Sequence, residues 1–282
     1  MQALFFPLLL LSLTQWIWCQ HCGRIWAENA INIPGYIRPT PGKWPWQVQY
    51  SFHFPNNSAP RTCGGTVIAE RWILTAAHCL SPDAIVDSVT HSNLLLNKKY
   101  GSDHTIWLTG HKADENDHVM FANDIALIEL DPPLDYGPLV KVVCIPVKSN
   151  QILADAQVMS LEFDHTIAHY NSTSPSVLET LFPVLPSDVC SQQIPNVSIP
   201  ETQVCGNHAP GKENGGSPLL MFSKYGFWYQ VGISSWVDAS NDQGERRGIY
   251  TNVPAYCEWI AEKTRGEAPC YDMPLVDASK GM

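Results

Sequence analysis

The chain has 282 residues, of which 45% are hydrophobic, and its acidic residues outnumber its basic residues by 27 to 17, giving a formal net charge of −10. This length supports a sizeable hydrophobic core, in one large domain or two small ones. The negative charge argues against a nucleic-acid partner, because neutralising phosphates requires a basic face.

The first 19 residues predict a secretory signal peptide. They carry no charge, and their apolar core from Leu4 to Leu13 is as long as a signal h-region and too short to cross a membrane. The usual upstream Lys or Arg is missing, and cleavage is expected after Cys19 or Gln20. The C-terminal tail carries no second long apolar segment. We therefore expect a secreted, extracellular protein without a membrane span.

Cysteines and glycosylation motifs agree with secretion. The chain has nine cysteines, and loss of Cys19 with the signal leaves an even number, as in a disulfide framework. Three Asn-X-Ser/Thr motifs are predicted glycosylation sites, at Asn56, Asn171 and Asn196.

Short runs rich in β-branched and aromatic residues recur along the chain, separated by Pro, Gly, Asn and Asp. This spacing predicts an all-β sandwich or a pair of β-barrels. The predicted strands are 46–52, 65–69, 72–76, 105–110, 125–130, 218–222, 228–236 and 248–253.

One helix is predicted, near the C-terminus. Pro254 suits its first turn, Tyr256, Trp259 and Ile260 share one face, and Gly266 can cap its end.

Five segments, in this order, resemble the trypsin/chymotrypsin family of secreted serine proteases. They are "PGKWPWQVQY" (41–50), "CGGTVIAERWILTAAHC" (63–79), "NDIALIEL" (123–130), "VGISSW" (231–236) and "RGIYTNVPAYCEWI" (247–260). The resemblance implies two six-stranded antiparallel β-barrels with a C-terminal helix and the active site in the cleft between the barrels. It also divides the chain into a signal peptide (1–19), an N-terminal arm (20–40), a trypsin-like domain (41–265) and a tail (266–282).

By this resemblance His78 holds the general-base position and Asp124 the position that orients it. The chemistry requires both, because the imidazole takes the proton of the nucleophile while a buried carboxylate fixes its tautomer and stabilises the imidazolium. The alternative interpretation is a buried, satisfied pair that no longer takes part in catalysis.

The resemblance also implies three disulfides, and a fourth pair remains by arithmetic. The implied pairs are Cys63–Cys79, Cys190–Cys205 and Cys22–Cys144, and the remaining pair is Cys257–Cys270. A further family disulfide, which braces the nucleophile loop, is missing. Gly211 holds one of its positions, and residues 237–247 contain no cysteine.

The nucleophile loop departs from the family pattern G-D-S-G-G-P. Aligned on Pro218 and Leu219, this chain reads E-N-G-G-S-P, so that Glu213, Asn214 and Gly215 replace the first glycine, the aspartate and the nucleophilic serine. Glycine has no side chain that can attack, and losing such a serine costs subtilisin roughly 10⁶-fold in turnover. The carboxylate of Glu213 would also have the wrong sign beside a developing oxyanion. The sequence therefore predicts that peptidase activity is lost.

Ser217 is the alternative nucleophile. It would need a register shifted by two residues, which moves its hydroxyl by several ångströms, whereas attack requires near-contact geometry of about 3–3.5 Å.

The activation switch of the family is altered at both ends. Family zymogens are cleaved after Arg or Lys, and the new ammonium pairs with the aspartate before the nucleophile. Here Ile33 would be the new terminus, but it follows Asn32 and precedes Pro34, and its partner would be the uncharged Asn214.

The predicted specificity pocket is also altered. Its base falls near Ala209, Val237 stands where a glycine normally admits a substrate side chain, and Gly248 is retained at the back. The backbone of Ser235 and Trp236 is expected to remain as an edge that binds an extended peptide.

Metal binding is the third hypothesis, because the chain has ten histidines. Some recur at intervals of four or seven, namely His165 and His169, and His104, His111 and His118. No spacing fixes a third ligand, so we interpret these histidines, and the acidic stretch 113–118, as surface loops. No metal or other cofactor is expected.

Two main functional hypotheses follow. The first is a catalytically inactive protease homologue that binds an extracellular protein or peptide, such as a protease, an inhibitor or a surface molecule. The second is a working endopeptidase that uses Ser217 with His78 and Asp124.

Overall fold

The computed structural model describes residues 22–25, 43–54, 60–80, 85–91, 101–107, 122–148, 152, 154–163, 177–194, 198–208, 211, 214–238 and 247–274. Several features predicted from the sequence lie outside these residues. They are the signal peptide, most of the N-terminal arm, the three glycosylation motifs at Asn56, Asn171 and Asn196, the pocket residue Ala209, the loop residue Glu213, and the histidines His111, His118, His165 and His169.

Six strands form the first sheet, in the order β4-β1-β2-β3-β6-β5 with every pair antiparallel. The period-two alternation of apolar residues explains β1, where Val48, Tyr50 and Phe52 are buried while their neighbours Gln49 and Ser51 are half-buried. The strands are β1 (Gln47–His53), β2 (Arg61–Ala69), β3 (Trp72–Thr75), β4 (Ile85–His91), β5 (Gly101–Trp107) and β6 (Ala126–Asp131).

The second half of the chain forms a closed six-stranded barrel in the order β10-β13-β12-β11-β8-β9. A short parallel pair, β7 (Ile145–Pro146) with β14 (Cys270–Tyr271), lies outside it. The barrel strands are β8 (Gln157–Phe163), β9 (Val177–Leu185), β10 (Gln203–Gly206), β11 (Pro218–Phe222), β12 (Trp228–Asp238) and β13 (Arg247–Asn252).

These two units confirm the predicted chymotrypsin-like class, with one difference between them. The second barrel closes, whereas β4 and β5 form the two edges of the first sheet and share no ladder among the described residues. The first unit is therefore a six-stranded half-barrel. The cleft between the two units contains the residues considered below.

The predicted C-terminal helix is present, and a second helix was not foreseen. A 3-10 turn at Val253–Tyr256 leads into α2 (Cys257–Lys263), and Gly266 follows with a left-handed φ of 80°. The unforeseen helix is α1 (Ser187–Gln193), which follows Pro186 without any side-chain cap hydrogen bond. Seven residues without a capping signal are too short to be recognised from periodicity.

All four predicted disulfides form, namely Cys22–Cys144, Cys63–Cys79, Cys190–Cys205 and Cys257–Cys270. Trp44, Trp46 and Trp72 are fully buried, whereas Trp236 and Trp259 are half-buried.

The loop at residues 214–217 is attached to both sheets by backbone hydrogen bonds. Gly64 of β2 donates to the carbonyl of Gly215 at 2.9 Å, and Gly216 donates to the carbonyl of Ser234 in β12 at 2.9 Å. The hydroxyl of Thr75 donates to the carbonyl of Gly64 at 2.8 Å, beside the backbone of Gly216. The loop therefore has a fixed position in the cleft.

Gly216→Ala should destabilise the fold strongly. Gly216 has a φ of 81°, and a Cβ there would lie 2.2 Å from Oγ1 of Thr75 and 2.3 Å from the carbonyl oxygen of Gly64. Left-handed strain costs about 1–2 kcal/mol, and the clash should bring the loss of unfolding free energy to at least about 3 kcal/mol. Gly266→Ala is the matched control, because Gly266 has a φ of 80° but nothing within 4 Å of its Cβ position. Urea unfolding of both variants checks this, and equal losses would contradict it.

Candidate active site

His78 and Asp124 come together because β3 and β6 are neighbouring strands. His78 lies in the 3-10 turn Ala77–Cys79 just after β3, Asp124 lies just before β6, and Thr75 pairs with Ala126 between them. Nδ1 of His78 lies 2.7 Å from Oδ2 of Asp124, and the backbone N–H of His78 donates to Oδ1 at 2.7 Å. The carboxylate thus fixes both the backbone and the ring of His78 in the way a general base requires.

The second barrel completes the surroundings of Asp124, which is fully buried. The hydroxyl of Ser235 in β12 donates to Oδ2 of Asp124 at 2.5 Å, and the hydroxyl of Thr251 in β13 donates to the carbonyl oxygen of Asp124 at 2.7 Å. The sequence predicted only the backbone of Ser235 to be used, as part of a peptide-binding edge. The hydroxyl of Ser235 is therefore an additional member of the site. The sequence motifs did not indicate this contact, because their order does not show which side chains meet in the fold.

The imidazole of His78 is more basic than a free histidine. Burial by itself lowers the pKa of His78, but the hydrogen bond to Asp124 and the charge of that carboxylate outweigh burial and raise the pKa above 6.5. The side chain remains 28% exposed, so the ring faces the cleft.

The residue beneath the imidazole is Gly215. A Cβ at Gly215 would lie 2.5 Å from Nε2 of His78 and 3.0 Å from Cε1. Real side chains do not approach that closely, so the ring occupies part of the space that a side chain at position 215 would fill. A side chain at position 215 would therefore meet the imidazole of His78 directly.

Ser217 points in another direction. A Cβ on Gly64 would lie 2.2 Å from Oγ of Ser217, so the hydroxyl packs against the backbone of β2. Ser217 is fully buried, and its Oγ has no hydrogen-bond partner. Its hydroxyl is therefore not hydrogen bonded to His78.

Asn214 binds the neighbouring strand with both atoms of its amide. The backbone N–H of Phe163 donates to Oδ1 of Asn214 at 2.7 Å, and Nδ2 of Asn214 donates to the carbonyl oxygen of Phe163 at 3.3 Å. A carboxylate could accept from that N–H but could not donate to that carbonyl. The uncharged residue at this position therefore fits its surroundings better than the family aspartate would.

Glu162 holds the part of the loop from which the family disulfide is missing. Its Oε2 accepts the backbone N–H of Gly211 at 3.0 Å, and its Oε1 pairs with Nε2 of His208. Glu162 is buried and belongs to β8. Two polar contacts to one carboxylate thus join the loop to the barrel wall, where the sequence showed only a missing cysteine.

Aromatic rings and backbone surround Gly248, the residue predicted to lie at the back of the pocket. Val237 lies directly opposite Gly248 across β12 and β13, and a Cβ on Gly248 would lie 2.3 Å from the carbonyl oxygen of His208. The hydroxyl of Tyr250 donates to that carbonyl at 3.0 Å, and the ring of Phe182 stacks on Tyr250 at a centroid distance of 5.9 Å. Burial, followed by the charge of Glu162, raises the pKa of Tyr250 well above its usual value.

Cys63, His78 and Cys79 form a group with metal-ligand chemistry. Their ligand atoms lie within 4.8 Å of one another. The two cysteines are joined in a disulfide, however, and a disulfide sulfur is not the thiolate that a metal requires. These residues therefore do not fit a metal site.

Asp124→Asn should lower the pKa of His78. In the folded wild type this pKa is raised, so Asp124 stabilises the protonated ring, and that stabilisation is fully present below the unfolded pKa of about 6.5 and disappears as the pH rises through the folded pKa. NMR titration of the His78 Cε1 proton should give a pKa above 6.5 in the wild type and a lower one in the variant. An unchanged pKa would show that the hydrogen bond does not control the ring.

Asn214→Asp should destabilise the fold at pH 7 by about 1–3 kcal/mol, because a buried carboxylate would face the carbonyl of Phe163. Its folded pKa should be raised, so the loss should shrink as the pH falls to about 4 and the carboxyl gains a proton that it can donate. Urea unfolding at both pH values tests this. Asn207→Asp is the control, because Asn207 is exposed and its Oδ1 accepts from Nη1 of Arg247 at 2.8 Å, so that a carboxylate there keeps its partner. A variant at position 214 that is as stable as the wild type at pH 7 would contradict the contact.

Three comparisons with known proteins agree with this geometry. Residues 33–260 match the family model described as Trypsin. Coagulation factor XI of Bos taurus is 29% identical over 247 residues, covering 83% of this chain and 38% of that protein. The human transmembrane protease serine 5 is 24% identical over 257 residues, covering 86% of this chain and 53% of that protein. The chain thus spans about half or less of the length of these two relatives.

A solved structure of HL collagenase has the same fold, with a TM-score of 0.67 at 21% identity over 83% of this chain and 99% of that one. Across the described ranges, no helix is both long and apolar enough to cross a membrane. The family match covers most of the chain, and the site places His78 and Asp124 together in the cleft between the two sheets. The chain therefore belongs to the trypsin family of serine proteases.

Proposed function

We propose that this chain is a secreted serine protease homologue that lacks peptidase activity and acts as an extracellular binding or regulatory protein. The observation that carries the proposal is the position of Gly215 beneath Nε2 of His78, at the distance of a missing side chain. A general base without a nucleophile cannot form an acyl-enzyme. The retained His78–Asp124 pair then serves to hold the cleft together.

A peptide-binding edge supports the binding role. Beyond Ile233, which pairs with Pro218 of β11, strand β12 continues through Ser235, Trp236 and Val237 and pairs on one side with β13. Among the described residues no strand pairs with the other side of this segment. An exposed strand edge binds an extended peptide through backbone hydrogen bonds and needs no catalytic serine.

The residues around Gly248 favour a ligand without a large side chain at this point. Val237 pairs with Gly248 across β12 and β13, and the ring of Tyr250, which stacks on Phe182, lies 2.9 Å from where a Cβ on Gly248 would be. We infer that a partner presents its main chain, with small side chains at this point. An extracellular protease, an inhibitor or a surface molecule with an extended loop has this chemistry.

The second candidate function is an endopeptidase that uses Ser217 with His78 and Asp124. Ser217 lies in the loop and has a buried hydroxyl, and His78 is already paired with Asp124. Its hydroxyl would have to leave the backbone of Gly64 and reach Nε2 of His78, which requires the loop to shift its register. The hydrogen bonds that hold Gly215 and Gly216 oppose such a shift.

Labelling with a fluorophosphonate separates the two candidates. We expect purified protein to remain unlabelled at concentrations that label trypsin stoichiometrically, as measured by intact mass. Peptide mapping identifies any labelled residue. Stoichiometric labelling of Ser217 would overturn the proposal and establish the endopeptidase.

Gly215→Ser provides the matched variant. It places a hydroxyl beneath the imidazole but forces His78 to tilt, because the new Cβ would lie 2.5 Å from Nε2. We expect slow labelling at position 215, with turnover at least about 10²–10³-fold below that of trypsin, since Glu213 replaces the glycine of the oxyanion hole. Turnover equal to that of trypsin would contradict this expectation, because it would show that Gly215 alone prevents catalysis.

A further inference from the structure

Three aromatic residues stand at or beside the turn between β11 and β12. Phe222 is 44% exposed and Tyr225 is 66% exposed, although both are large and apolar. Phe227 is half-buried, and the ring of Phe222 lies 4.9 Å from that of Trp228. Exposed aromatic rings in a cluster mark a protein interaction site more often than scattered ones do.

Cations flank these rings, on a chain whose net charge is −10. The guanidinium of Arg24 lies 4.9 Å from the ring centroid of Phe227, and the ammonium of Lys224 lies 5.0 Å from that of Tyr225. Within the described part of the chain, neither cation forms an ion pair with a carboxylate. Lys141 lies near the segment of Arg24, because its chain neighbour Val142 accepts the backbone N–H of Gly23 at 2.8 Å.

The turn is rigid without a partner. Ser223 donates its backbone N–H to the carbonyl of Phe227 at 2.8 Å, and its Oγ accepts the N–H of Phe227 at 3.2 Å. Lys224 donates its backbone N–H to the carbonyl of Pro274 at 3.1 Å. A surface that is already ordered loses little conformational entropy when it binds.

The segment that carries Arg24 is fixed in the same way. The disulfide Cys22–Cys144 holds it, Gly23 donates to the carbonyl of Val142 at 2.8 Å, and Trp228 donates to the carbonyl of Gly23 at 2.9 Å. Three separate parts of the chain therefore present one surface, the hairpin patch, which consists of Arg24, Lys141, Phe222, Lys224, Tyr225 and Phe227.

We propose that the hairpin patch is a docking site for an acidic polypeptide segment that carries aromatic or other apolar side chains. Glutamates or aspartates of the partner pair with Arg24 and Lys224, and its apolar side chains cover Phe222 and Tyr225. Arg and aromatic residues are the types that contribute most to such contacts.

The mixture of charge and aromatic surface favours a polypeptide over a sulfated glycan. A long polyanion is recognised by a broad basic face, whereas this chain is acidic overall and would repel it at a distance. A short acidic segment needs only a few local cations and uses the exposed rings as well. Charge complementarity also fits an extracellular setting, where salt leaves contacts shorter than about 8 Å effective.

The hairpin patch is far from the cleft. Trp228 and Ser235 lie seven residues apart along β12, which corresponds to roughly 23 Å of extended strand. The patch extends the proposed binding role, but it does not depend on the state of Gly215 or His78. Failure of the experiment below would leave the fluorophosphonate result unaffected, and the reverse also holds.

The test is fluorescence anisotropy with a labelled peptide of alternating glutamate pairs and phenylalanines, EEFEEFEE, against the full-length protein as secreted. We expect saturable binding that weakens as salt rises, and at least about tenfold weaker binding by Lys224→Glu and by Arg24→Glu. Tyr225→Ala should weaken binding without changing its salt dependence.

Lys263→Glu is the matched control, because it makes the same charge change on α2, where Lys263 pairs with Glu262. It should bind like the wild type. Thermal unfolding confirms that each variant is folded, and Arg24→Gln replaces Arg24→Glu if the latter is not. Any of three outcomes overturns the proposal: no binding by the wild type, equal binding of the glutamine peptide QQFQQFQQ, or tighter binding of a heparin octasaccharide.

Discussion

The buried carboxylate of Asp124 is the constraint on which the cleft depends. A charge removed from water must be matched by hydrogen bonds, or its burial costs several kcal/mol. Here the first sheet supplies two contacts, the ring and the backbone N–H of His78, and the second barrel supplies the hydroxyl of Ser235. One carboxylate therefore joins the two units at their interface. Losing the contacts from either unit would leave this buried carboxylate with too few hydrogen bonds.

Under the proposed function, this constraint gives a physical reason for retaining the His78–Asp124 pair without a nucleophile. Loss of a serine at position 215 removes no hydrogen bond from Asp124, because that carboxylate is bound by His78 and Ser235. Loss of Asp124 or His78 would disturb the packing between the sheets. Under the proposed function, the fold therefore tolerates loss of the nucleophile better than loss of the general base.

The loop at residues 211–217 shows how one set of contacts replaces another. An amide at position 214 pairs with the backbone of Phe163, and the carboxylate of Glu162 binds Gly211 and His208. These contacts hold the loop where the family resemblance implied a disulfide, and Asn214 offers an amide where that resemblance implied a carboxylate.

Much of the fold could be predicted from the sequence. Short runs of β-branched and aromatic residues located β1, β2, β3, β6, β11, β12 and β13 and the end of β5, and the motif around His78 indicated the family. The family resemblance implied three of the four disulfides and arithmetic left the fourth, while the residue type of Gly266 indicated the end of α2. Such features are local, or they depend on spacings that the family fixes.

Strands β8 and β9 were not predicted from the sequence. Polar residues interrupt the runs of apolar residues by which a strand is recognised. Glu162 and Ser160 are buried in β8, which breaks the apolar alternation that reveals a strand. Helix α1 is short and uncapped, so it carries no terminal signal.

The sequence by itself determined that position 215 is a glycine and that no hydroxyl can act from there. Tertiary structure alone decided where the imidazole of His78 lies, where the hydroxyl of Ser217 points, and which groups bind Asn214 and Glu162. Those contacts join residues about 50 positions or more apart in the chain. Their geometry depends on how two sheets pack, and local residue patterns do not encode that packing.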